Sequence, residues 1–85
     1  MELPIPAWFK YRQGEAKPAG DHSYLLTAPL VDPTWIRIRL SDGKWQAAIA
    51  DSADGPDAVT SGPIDGDERD AWQAAFELYR VAKIC

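Results

Sequence analysis

The residues of this chain best suited to chemistry fall on one alternating run. From Thr34 to Leu40, Trp35, Arg37 and Arg39 occupy one side of an extended strand, and Ile36, Ile38 and Leu40 the other. A tryptophan and two arginines in a row can stack on bases, grip phosphates or anchor a protein, since both residue types concentrate binding energy at interfaces. The following run, Lys44 to Ala50, brings Lys44 and Gln46 alongside. The candidate binding face is therefore Trp35, Arg37, Arg39, Lys44 and Gln46. A competing arrangement folds the N-terminal aromatics Trp8, Phe9 and Tyr11 across this face, over the small Ala48 and Ala50, and turns it into a second core. The sequence leaves the two arrangements open.

Other chemistry-bearing residues carry less. Asp21, His22 and Ser23 hold the parts of a hydrolytic triad, but neighbours on an extended chain point to opposite sides, and a triad needs its side chains to converge. His22 is the only histidine. Asp51, Asp54 and Asp57 surround Gly55 without the spacing of a calcium loop, and no glycine-rich phosphate cradle occurs. Cys85 is the only cysteine, which excludes an internal disulfide and a cysteine-based zinc cage. We expect no enzyme, no cofactor and no metal centre.

The elements that must position the candidate face start from Asp42-Gly43. An Asp-Gly pair between two alternating runs signals a two-residue hairpin, because both central positions of a type I′ turn need positive φ. With these two residues as the loop, Leu40 faces Trp45, Ile38 faces Ala47 and Ile36 faces Ile49, so the apolar side chains of both strands share one side. Arg39 then faces Gln46, Arg37 faces Ala48 and Trp35 faces Ala50.

Upstream, Ala7 to Arg12, after the extended Pro4 and Pro6, is read as a strand in preference to a single helical turn, Gln13 to Asp21 as a surface loop, and His22 to Pro29 as a strand. Asp32-Pro33 is read as the turn before the hairpin. Downstream, Ala58-Val59-Thr60 forms a short edge strand. A helix follows, capped by Asp65 with Glu68 three residues on. Its buried stripe is expected at Ala71, Trp72, Ala75, Leu78, Tyr79 and Ala82. The predicted fold is α+β, a three- or four-stranded antiparallel meander packed on one C-terminal α-helix as a two-layer sandwich.

The 85 residues, 46% apolar and 26% charged, suit one domain spanning 1–85 with an ordinary core. No run approaches the ~20 apolar residues of a bilayer crossing, and Met1 to Pro6 lacks a signal-peptide layout, so a cytoplasmic protein without membrane contact is expected. Charge is polarised along the chain. Between Asp51 and Asp70 seven acids stand against Arg69, whereas the other 65 residues carry eight bases and six acids. Such opposed patches either steer a partner or form a solvated acidic loop.

Gly43-Lys44-Trp45-Gln46-Ala47-Ala48-Ile49-Ala50-Asp51 resembles the second strand of the plant-type AP2 DNA-binding domain, and the helix from Glu68 to Ala82 is similar to that domain's closing helix. The resemblance spans about half the chain. It implies a three-stranded sheet that enters the major groove, with Arg37, Arg39 and Trp45 as the candidate contacts. Affinity for a polyanion comes chiefly from phosphate neutralisation, however, and the net charge here is −4. The expected function is a small non-enzymatic interaction domain with a protein partner, and a nucleic-acid-binding sheet is the alternative.

Overall fold

The computed structural model describes residues 3–84. In it Asp42 and Gly43 adopt φ of 53° and 77°, the left-handed pair of a tight hairpin turn. The turn joins β3 (Val31–Ser41) to β4 (Lys44–Ala50). Leu40 pairs with Trp45, Ile38 with Ala47, Ile36 with Ile49, Arg39 with Gln46, Arg37 with Ala48 and Trp35 with Ala50. The register read from alternation and turn chemistry is the one formed.

The sheet has five antiparallel strands in chain order, one or two more than expected. β2 (Ser23–Ala28) pairs with β3, and β5 (Asp57–Thr60) closes the far edge against β4. The additional strand is β1 (Glu15–Pro18), within the segment read as a loop. Only Ala16 of β1 packs toward the core, so this edge strand has no apolar alternation to announce it. Lys17 and Pro18 also mark it as a protected edge.

The β2–β3 connection likewise differs from expectation. Pro29 and Leu30 make the turn, with Leu30 at φ 67°, and the chain is already in β3 when it reaches Asp32 and Pro33. Register slips between Leu26 and Ala28, so Asp32 and Pro33 together oppose Thr27 in a β-bulge. A bulge needs no ladder N–H from proline, and β4 does not extend beside these residues.

Ala7 to Arg12 is helical rather than extended, as α1 (Ala7–Tyr11). Pro6, in extended conformation, is its N-cap. It ends when Gln13 takes φ 58° while Gln13 N–H donates to Lys10 O and Gly14 N–H to Phe9 O, a Schellman closure with glutamine in the left-handed position. A β-carbon on Gly14 would overlap the Phe9 ring, so this close approach requires glycine. The helical turn delivers Phe9 to the core with ring centroids 5.5 Å from Phe76 and 5.6 Å from Tyr79, and Trp8 stacks on Tyr79.

α2 (Glu68–Tyr79) starts two residues later than expected. Asp67 is the cap, accepting from Asp70 N–H at 3.1 Å, and Asp70 accepts from Asp67 N–H at 3.0 Å. Asp65 is instead drawn into an ion pair with Lys44. Ala71, Trp72, Ala75, Phe76 and Tyr79 form the buried stripe; Leu78 is half-buried and Phe76 was missing from the expected set. Ala82 is exposed, because the chain widens into a π-helical turn over Arg80–Ile84. That turn brings Ile84, five residues after Tyr79, back against the core.

The core lies between this stripe and Phe9, Leu26, Ile36, Ile38, Ala47 and Ile49, giving the two-layer α+β arrangement. Trp45 is half-buried at its margin, and Leu40 is exposed near the hairpin tip. No helix among the described residues is long and apolar enough to cross a membrane. Cys85, and the first two residues of the start, lie outside the described residues.

Candidate functional site

Strand alternation places Trp35, Arg37, Arg39, Lys44 and Gln46 on the sheet face opposite α2. The N-terminal aromatics do not cover them. Phe9 and Trp8 belong to the helix side, and Tyr11 is 88% exposed. The register adds neighbours that strand-by-strand reading missed: Leu25 lies opposite Trp35, Ser23 opposite Arg37, Lys17 opposite Leu25 and Thr60 opposite Ala48. The pairing of β2 with β3 was the signal that would have found Leu25 and Ser23.

Ala48 and Ala50 are fully buried even though they face away from α2. Their cross-strand partners on this face are Arg37 and Trp35, and Arg37 draws the segment 52–57 back toward the sheet. Its guanidinium donates to Gly55 O at 3.0 Å, Asp57 Oδ1 at 3.1 Å, Ser52 O at 3.0 Å and Ala53 O at 2.8 Å. Three carbonyls and a carboxylate thus converge on one side-chain cation, in the manner of a small cation-binding loop whose cation is covalently part of the protein. The Arg37 side chain is only 22% exposed. Asp57 also pairs with Arg39, whose side chain is 48% exposed.

Charge on this face is therefore matched internally. Arg37 and Arg39 share Asp57, Lys44 pairs with Asp65, and Gln46 Nε2 donates to Ser61 O at 3.1 Å. Asp51 accepts from Lys83 at 2.9 Å. Of the seven acids between Asp51 and Asp70, Asp51, Asp57 and Asp65 meet bases from the rest of the chain, whereas Asp67 and Asp70 serve the helix cap. Asp51 and Asp57 reach different bases, and among the described residues no three His, Cys, Asp or Glu side chains gather as a metal site would require.

His22 sits elsewhere, in the β1–β2 turn at φ 52°, with Nε2 3.7 Å from Glu68 Oε1 and its ring edge-on to Trp45. Its nearest carboxylate partner comes from α2, not from the adjoining Asp21. Comparison with protein-family models, with curated proteins and with solved structures finds no match.

Proposed function

We propose that this chain is a non-enzymatic interaction domain that binds a protein partner through the sheet face centred on Trp35. The observation that carries this reading is the combination of a half-buried tryptophan, which the N-terminal aromatics do not cover, with basic neighbours that are already neutralised. Trp35 and Leu25 offer an apolar centre, while Arg39 and Gln46 supply a polar rim that can exchange internal partners for external ones. The AP2-like alternative asks the same arginines to neutralise phosphates. They would first have to leave Asp57, which favours a protein partner over a polyanion.

Replacement of Trp35 by alanine tests this directly. Capture from a native lysate is expected to survive nuclease treatment and to be lost on Trp35→Ala, with binding weakened by at least ~2 kcal/mol and little change in folding stability. Binding should fall only modestly between about 50 and about 200 mM salt. A stability loss of ~3–5 kcal/mol with capture intact would mark Trp35 as core instead. Nuclease-sensitive capture that falls steeply with salt and needs Arg37 and Arg39 would establish the nucleic-acid reading.

A further inference from the structure

A separate cavity of about 210 Å³ opens between the β1–β2 turn and the first turns of α2, on the helix side of the sheet. Asp21, His22, Tyr24, Glu68 and Trp72 line it, with Leu3 closing one side. It is smaller than the ~300–1,000 Å³ of sites for drug-sized molecules, so its size suits one small group. We propose that this cavity is a binding site for an organic ammonium group, the head of a lysine side chain or of a free quaternary amine.

The walls argue for a cation. Tyr24 and Trp72 meet at 85° with ring centroids 5.1 Å apart, a right-angled aromatic corner, and aromatic faces carry the negative part of the ring quadrupole. Glu68 is held at this corner: Trp72 Nε1–H donates to its Oε2 at 3.4 Å, and its Oε1 lies 3.7 Å from His22 Nε2. Asp21 adds a second carboxylate, and no lysine or arginine lines the cavity. This contrasts with Asp51, Asp57 and Asp65, each of which has met a base. Among the described residues, neither Asp21 nor Glu68 meets a lysine or arginine.

The positive end of α2 opposes a cation here, but Asp67, Glu68 and Asp70 in and beside its first turn offset that field. An anion would face Glu68 and Asp21 directly, and a neutral apolar group would leave Asp21 without a counter-charge and Glu68 with the His22 imidazole alone. The aromatic corner with an aimed carboxylate fits an ammonium that carries carbon, which can use both. This site does not depend on the Trp35 face.

The test uses the full chain at pH 8, titrated at constant ionic strength with tetramethylammonium chloride and, separately, with Nα-acetyl-lysine amide. The Trp72 indole N–H resonance, assigned with Trp72→Phe, reports occupancy. A saturable shift is expected with at least one of the two, and the tighter binder tells a quaternary amine from a lysine side chain. Sodium chloride and uncharged neopentyl alcohol should not reproduce it. Glu68→Gln should weaken binding by about tenfold or more while leaving the other indole resonances in place. Should that variant fail to fold, Asp21→Asn in the exposed turn is expected to weaken binding in the same direction. An unsaturable response matched by neopentyl alcohol, or unchanged affinity in the folded Glu68→Gln protein, would overturn the assignment.

Discussion

Tyr79 is fully buried under Trp8 and Phe9, yet among the described residues its hydroxyl meets no hydrogen-bond partner. An unsatisfied buried hydroxyl costs about 1–3 kcal/mol, so Tyr79→Phe should leave the protein equally stable or up to about 1 kcal/mol more stable at neutral pH. Burial also raises the Tyr79 hydroxyl above the ordinary tyrosine value, against a smaller lowering pull from Arg12. The folded chain therefore holds this proton more tightly than the unfolded chain does. The resulting stabilisation is complete below about pH 10 and is lost as pH climbs through the raised folded value, because the unfolded state deprotonates first. Denaturant titrations of both proteins at about pH 8 and about pH 10.5 check this. Tyr79→Phe should lose less stability between the two; an equal loss would show that burial does not raise the hydroxyl, and a less stable variant at neutral pH would show that the hydroxyl has a partner.

At the scale of elements, Arg37 fastens the 51–57 loop to the sheet, whereas Arg39 makes a more exposed pairing with Asp57. Arg37→Lys keeps the charge but cannot reach three carbonyls and a carboxylate with a planar fork. It is expected to cost about 1–3 kcal/mol and to speed amide hydrogen exchange across 52–57, while Arg39→Lys should cost less than about 1 kcal/mol and leave that exchange unchanged. Equal effects of the two substitutions would refute the clamp. The placement of the five face residues was legible because strand alternation and Asp42-Gly43 are both local signals. The clamp was not. It depends on a loop returning 15 to 20 residues later onto Arg37, and no periodicity encodes that return. Other misreadings share this character. Glu15–Pro18 becomes a strand only because β2 offers it a ladder, and α1 is helical only because Phe76 and Tyr79 leave a place for Phe9. Where two turn signals stood three residues apart, at Pro29 and Asp32-Pro33, composition could not say which would turn and which would bulge.

For the molecule as a whole, the N-terminal segment is an integral part of the core. Sheet and α2 alone would leave Phe76 and Tyr79 without the ring of Phe9, which is itself fully buried. Truncating such a ring to alanine removes its transfer free energy and leaves a cavity, together worth about 3–5 kcal/mol. At roughly 0.05–0.15 kcal/mol per residue, an 85-residue domain has only about 4–13 kcal/mol in total. One residue outside the sheet and α2 can thus hold a large share of the stability. Each kcal/mol moves the melting temperature of a domain this size by about 4–8 °C, so Phe9→Ala should lower it by at least about 12 °C. Phe9→Leu, which keeps much of the apolar volume, should lower it by less. The loss should be global, with Trp72 exposed together with the rest of the core, because Phe9, Trp72 and the sheet residues belong to one cluster. Calorimetry with tryptophan emission as a second probe separates the outcomes. A Phe9→Ala protein that melts near the parent temperature would mean that sheet and α2 suffice without α1. Melting in two steps, with Trp72 still protected after the first, would mean that α1 is a detachable element on a smaller cooperative unit.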